Sequence, residues 1–184
     1  ANQKCNGQDA VTLQTAFALS CNTAFVEMSE QLGADELRKY AKAFGVGENY
    51  DLGVSTSAGT LGDLPDGAAT AQSAIGQRDV TMTALQAAVM AGTVANKGTR
   101  MQPYLVNRIT DAQMKDVRTT KPKKADQAVN EETAATLTDL MYASERSSAG
   151  YDGNGFASKT GTAEHGEGLA PHVWYVAFDP ERDI

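Results

Sequence analysis

Apolar positions recur at helical spacing through the first part of the chain and alternate at strand spacing near its end. Leu13, Ala16 and Phe17 share one helical face, Ser20-Cys21-Asn22 interrupts it, and Ala24, Phe25, Met28 and Leu32 resume it before Gly33 closes it. Two helical pieces joined by a polar turn are therefore predicted over 11–33, because serine and asparagine compete with the helix for backbone hydrogen bonds. Leu37, Tyr40, Ala41 and Phe44 fall at i, i+3, i+4 and i+7, and Gly45 stops them. The glycine-rich stretch 45–76 has few apolar runs and reads as one long surface loop, of the kind that wraps a cleft. A further helix is predicted over Met82–Asn96, capped by Thr81, with Leu85, Ala88, Val89 and Gly92 facing inward and Gly98 ending it. Tyr104–Ile109 reads as a strand, and Asn130 caps a helix running to Met141. Ser147–Gly155 is turn-rich. Two strands follow, Phe156–Thr162 and His172–Phe178, in which Trp174 and Tyr175 read as core side chains.

Helices first and strands last imply an α+β fold, a helical subdomain plus an antiparallel sheet, rather than βαβ repeats. Residues 11–98 are expected to be mainly helical around the 45–76 loop, and 99–184 to hold strands and one helix. The apolar strand 173–178 is followed only by Asp179 to Ile184, so the sequence reads as one piece, 1–184, of a larger domain.

Composition narrows the function classes. The 184 residues are 41% hydrophobic, enough for a core, and carry a formal net charge of −7. That charge disfavours nonspecific grip on nucleic acid or on an anionic membrane surface. No apolar run approaches the roughly 18 residues of a membrane span. The basic run Lys115–Lys124 reads as a solvated loop. The two cysteines, Cys5 and Cys21, are compatible with two buried thiols or one bridge. His165 and His172 form no metal-binding spacing, so neither metal nor other cofactor is expected.

Two short segments carry candidate chemistry. Lys159-Thr160-Gly161-Thr162, on a strand, offers a cation beside a backbone edge. Gly161 leaves that edge open to close approach, and the Thr160 and Thr162 hydroxyls add donors. An extended peptide ending in a carboxylate would pair with this edge and set its carboxylate against Thr162. The glycines at 150 and 155 do not form a phosphate loop with Lys159, because Phe156, Ala157 and Ser158 separate the second glycine from the lysine. At the helix break, Ser20 is placed to relay a proton, and the Asn22 carboxamide to hold a substrate amide by donating and accepting together.

Ser-x-Asn on an interhelical turn with Lys-Thr-Gly-Thr on a strand resembles the penicillin-recognising serine acyltransferases. The stretches Ala74–Thr81, Ala84-Leu85-Gln86, Ala95–Gly98, Gln102–Val106 and His172–Phe178 are similar to class B penicillin-binding proteins, especially the actinobacterial penicillin-binding protein A branch. The resemblance implies a partial penicillin-binding, serine β-lactamase-like transpeptidase fold. It implies a D,D-transpeptidase that crosslinks peptidoglycan stem peptides ending in D-Ala-D-Ala through a serine acyl-enzyme, and that β-lactams acylate. Ser20 and Asn22 match the family's second motif. Lys159, Thr160, Gly161 and Thr162 match its third, with Lys159 acting through electrostatics. Action at the extracytoplasmic face, beside a glycan polymerase and divisome proteins, is implied as well. In that compartment a Cys5–Cys21 disulfide would persist and brace the Ser20 turn.

The family's first motif, Ser-x-x-Lys, places a nucleophile and its base on one helix face. No serine here has lysine three places on. These residues alone are therefore expected to form no acyl-enzyme. A β-lactam sensor or β-lactamase-like protein, and a non-catalytic envelope scaffold, remain alternatives. The first is disfavoured by Cys21 at the middle of the second motif.

Overall fold

The structure, a computed structural model, describes Cys5 and residues 10–166 and 168–182. Its elements run α1 (Leu13–Ala18), α2 (Asn22–Ala43), α3 (Gly67–Ala74), α4 (Ala84–Ala95), β1 (Thr99–Met101), β2 (Arg108–Thr110), β3 (Asp116–Thr119), β4 (Lys124–Gln127), α5 (Glu131–Arg146), β5 (Ala157–Ala163) and β6 (His172–Phe178).

The break expected at Ser20-Cys21-Asn22 separates α1 from α2. The Thr12 hydroxyl caps α1 by accepting from the Thr15 N–H at 3.1 Å. At the other end the Cys21 N–H reaches the Ala16 carbonyl at 2.9 Å and the Ser20 N–H reaches Phe17 at 3.2 Å. This bond pair is a Schellman motif, with Ser20 at the position usually taken by glycine. Gly33, with φ 80° and ψ 164°, is non-helical and closes the first of two helical pieces that together make up α2, as its sequence position predicts.

The long loop expected over 45–76 is corrected, because it contains α3. The Asp66 carboxylate caps α3 by accepting from the Ala69 N–H at 2.8 Å. α3 packs on α2 and buries Ala69, Thr70, Ala71 and Ser73. A helix of small residues and one glutamine has no large apolar stripe, and its composition imitates a loop.

α4 begins two residues later than expected. Thr83, not Thr81, forms its capping box with Gln86. Thr81 is used elsewhere, exchanging backbone hydrogen bonds with Thr60 at 2.9 Å each way. The inward face moves too, with Gln86, Ala87, Ala91, Thr93 and Val94 buried while Ala88 and Gly92 are exposed. The buried Gln86 sets this rotation. Its carboxamide oxygen accepts from the Thr83 N–H at 2.9 Å, and its nitrogen donates to Ala58, Gly45 and Glu48 carbonyls. It thereby ties the connection 45–60 to α4.

The strand expected over Tyr104–Ile109 starts only at Arg108, opposite Thr119, the last residue of its partner β3. Tyr104, Leu105 and Val106 precede it, exposed. The basic run is solvated as expected, although part of it forms β3 and the start of β4, whose residues are all exposed. Asn130 caps α5, accepting from the Thr133 N–H at 2.7 Å, and the helix runs on to Arg146.

β5 and β6 pair antiparallel without a register shift, from Ala157 opposite Phe178 to Ala163 opposite His172. Side chains alternate between the two faces of this pair. Ala157, Lys159, Gly161, Val176 and Phe178 share one face; Ser158, Thr160, Thr162 and Tyr175 share the other. The core gathers Ala91, Val94, Met141, Ala157 and Phe178, with Phe17, Phe44, Leu137, Tyr142 and Val176 packed around it. α1 and α5 pack together, and α5 packs on β5. The core therefore fixes the α1–α2 turn against the first-named face of β5. Tyr175 is not a core residue: it is exposed on the opposite face, while Trp174 is half-buried.

Candidate active site

The two segments singled out from the sequence meet. The Lys159 ammonium donates to the Ser20 hydroxyl at 2.5 Å, across 139 residues of chain. It also donates to the Thr160 carbonyl at 2.7 Å and lies 5.8 Å from the centre of the Phe17 ring. An ammonium over an aromatic face is held electrostatically as well as by hydrogen bonds. Two independent features of α1 thus position Lys159: its last aromatic residue and the turn that ends it.

Ser20 has φ 54°. The left-handed region disfavours any residue bearing a Cβ. The Schellman turn imposes that conformation, which aims the hydroxyl across the groove at β5. Cys21 caps α2 from a buried position and is bonded to Cys5 as a disulfide, with Cα atoms 5.7 Å apart. Asn22, the first residue of α2, is half-buried beside them and is held there by the helix start.

Thr160 joins the pair through its backbone carbonyl. The Thr162 carbonyl accepts from the Gln77 carboxamide at 3.1 Å. Gly161 faces the same side as Lys159. A Cβ placed there would meet only the Trp174 Cβ, at 3.5 Å, an ordinary contact. The strand pair itself does not demand a glycine here, so the open surface above it is available to a ligand.

A second polar cluster lies on the other face of β5. Glu145, from the last turn of α5, is 4% exposed. Its carboxylate accepts from the Ser158 hydroxyl, from the Asn154 carboxamide at 3.1 Å and from the Tyr175 hydroxyl at 2.9 Å. Burial pushes the Glu145 carboxyl up, but the three hydrogen bonds outweigh burial and hold it below the usual glutamate range. Burial, and then the bond to Glu145, pushes the Tyr175 phenol up. A cavity of about 330 Å³ lined by Glu145, Ser148, Asn154, Thr160 and Tyr175 adjoins the cluster. Glu145 escapes the sequence reading because it stands in no recognisable spacing; Gln77 lies in the stretch Ala74–Thr81 that carries the family resemblance, but its role there is not legible because its partner is on a remote strand. Among the described residues no group of three or more histidine, cysteine or acidic side chains is arranged to hold a metal ion.

Residues 1–183 match the family profile described as the penicillin binding protein transpeptidase domain. The chain belongs to this family. It is 44% identical over 186 residues to the peptidoglycan D,D-transpeptidase PbpA of Mycolicibacterium smegmatis, covering 97% of this chain and 38% of that protein. Against the crystal structure of PBPA from Mycobacterium tuberculosis it superposes with a TM-score of 0.91 at 40% identity, covering 97% of this chain and 42% of the other. The same M. tuberculosis protein has been solved as a penicillin G acyl-enzyme, with the same score, identity and coverage. The fold is therefore that of the family, and this chain spans well under half the length of those relatives.

Proposed function

We propose that these residues form two walls of a serine-type D,D-transpeptidase active site, with the Ser20 turn on one side and the Lys159 strand on the other. The contact between the Lys159 ammonium and the Ser20 hydroxyl carries this reading. In the reaction a serine hydroxyl attacks the penultimate D-alanine carbonyl of a stem peptide. The C–N bond to the last D-alanine breaks, and that amine leaves with a proton. The acyl group then passes to an amine on a neighbouring stem peptide. Lys159 and Ser20 are placed to carry the proton to the leaving amine, and the cation supplies field for the developing oxyanion. Asn22 holds the donor peptide's amide, and Thr160, Gly161 and Thr162 form the edge on which the peptide lies.

The acylated serine and its lysine base are assigned to a part of the polypeptide outside these residues. Two features support that assignment: the sequence has no Ser-x-x-Lys, and the relatives bear the name D,D-transpeptidase over a longer chain. The Cys5–Cys21 disulfide supports an extracytoplasmic location, where such bonds persist. β-Lactams would act as acylating mimics of the donor.

Labelling with a fluorescent penicillin tests the proposal. The 184-residue chain alone is expected to take no covalent label, whereas a polypeptide that also carries the Ser-x-x-Lys segment is labelled. In that longer protein Lys159→Ala is expected to slow acylation by about 10²–10⁴-fold with folding nearly intact. Stable labelling of the isolated chain, or acylation at the parent rate in Lys159→Ala, would refute the assignment.

A further inference from the structure

Among the described residues β5 pairs with β6 along one edge and with no strand along the other, its free edge. In an antiparallel ladder the N–H and C=O of a residue point to the same edge, and alternate residues along a strand share it. The carbonyls of Thr160 and Thr162 stand two apart, and each accepts from a side chain rather than from β6: Thr160 from the ammonium of its neighbour Lys159, Thr162 from the carboxamide of Gln77, outside the strand pair. The free edge of β5 is therefore the edge of Thr160 and Thr162, and the carbonyls of these two residues are already occupied by N–H donors.

Gln77 differs from Lys159 in how it is mounted. Its N–H bonds the Gln72 carbonyl at 3.0 Å and the Gly76 N–H bonds Ser73 at 3.0 Å, a second Schellman turn, with Gly76 at φ 73°. The next residue, Arg78, has φ 64°, and its guanidinium reaches the Asp63 carbonyl at 2.5 Å and the Asp79 carboxylate at 3.0 Å. The backbone at Gln77 is thus pinned on both sides, while its bond to Thr162 is exposed and lies at the end of a side chain with three rotatable torsions. A primary carboxamide N–H donating to a strand carbonyl reproduces what the N–H of an added peptide strand donates there.

We propose that Gln77 is a displaceable place-holder on the free edge of β5: it occupies the Thr162 carbonyl until the backbone N–H of an incoming peptide takes it. The proposal rests on the reading of β5 as the strand on which an acyl-donor peptide lies. Gln77 keeps the edge from pairing with stray chain, and any donor must exchange one hydrogen bond for another to enter. A ligand lacking a well-placed N–H cannot make that exchange, so Gln77 filters ligands for an amide. The bond is neutral and exposed, so removing the competitor is expected to tighten noncovalent binding by about two- to tenfold.

The test uses the complete transpeptidase polypeptide that carries these residues. Stopped-flow acylation by a penicillin separates the dissociation constant of the noncovalent complex from the first-order acylation rate. In Gln77→Ala the dissociation constant is expected to fall by that factor, with the acylation rate unchanged. Gln77→Asn, too short to reach Thr162, is expected to behave the same way. A dissociation constant that stays constant or rises in both variants overturns the proposal and makes Gln77 a structural clamp. A second arm uses the wild-type protein, labelled with 15N at glutamine side chains and saturated with an N-acyl-D-Ala-D-Ala peptide. The Gln77 carboxamide signal is expected to move to a solvent-exposed shift with faster hydrogen exchange; a signal unchanged at saturation overturns the proposal. Wild-type protein that is neither acylated nor bound by the peptide refutes the function itself, an outcome distinct from either result on Gln77.

Discussion

Ser20 sits where a Schellman turn asks for glycine, and its hydroxyl meets the Lys159 ammonium on β5. A side chain kept in the left-handed region at a conformational cost, and aimed at a lysine 2.5 Å away, points to chemistry rather than folding. Ser20→Gly is therefore expected to stabilise the fold by about 1 kcal/mol, because glycine adopts this φ without strain. In the complete protein the same change is expected to slow acylation. Chemical denaturation and penicillin acylation kinetics check the two halves of that statement, and a loss of stability would remove the argument from strain. Gly161 makes the converse case. Space for a Cβ exists beside Trp174, and a strand interior usually gains from replacing glycine. Gly161→Ala is expected to leave the melting temperature equal or higher, yet to reduce acylation by crowding the face that Lys159 shares. An unchanged acylation rate in that variant would show that no ligand approaches this face closely.

Whole elements follow their apolar spacing where that spacing is strong. The α1–α2 break, the Asn130 cap of α5 and the β5–β6 pair were all legible, because each combines a periodic face with a distinct stop or cap. α3 was not, because a helix of small residues buries backbone and methyl groups without an apolar stripe. α4 was misplaced by its own cap. Two threonines two apart both satisfy the capping rule, and only the Thr60–Thr81 bridge decides between them. Gln86 shows the physical limit of reading by polarity, since it is 1% exposed on a face that hydropathy assigns to solvent. It joins the α4 cap to the carbonyls of Gly45, Glu48 and Ala58, so removing it leaves one buried and two half-buried carbonyls of the 45–60 connection without this donor. Gln86→Ala is expected to lower unfolding stability by about 2–3 kcal/mol. It is also expected to make residues 46–60 the first site of limited proteolysis. A loss below about 0.5 kcal/mol would mean that the connection is held by other contacts.

Across the molecule, the Lys159 face and the Glu145 cluster lie on opposite sides of one strand pair, so the position of Lys159 depends on what holds the rear of β5. Glu145 collects hydrogen bonds from the turn before β5, from β5 itself and from β6. That makes it the one carboxylate among the described residues with side-chain bonds to all three segments, and no local motif announces it. Asp152 nearby opposes its ionisation, and Asp152 is in turn held low by the Asn154 backbone and side-chain hydrogen bonds. Because the folded-state value of Glu145 is depressed, its contribution to stability is fully present above the ordinary glutamate value of 4.5. That contribution fades as pH falls through the ordinary carboxylate range and is gone below the depressed folded value. Glu145→Gln keeps an acceptor for Ser158 or Tyr175 but cannot ionise. Its stability is expected to be lower than wild type at neutral pH by about 1–3 kcal/mol, with the gap closing as pH drops from about 5 to 3. Urea unfolding at a series of pH values checks this. Parallel acid limbs for the two proteins would show that Glu145 does not titrate with folding, and that the rear of the strand is held by packing alone.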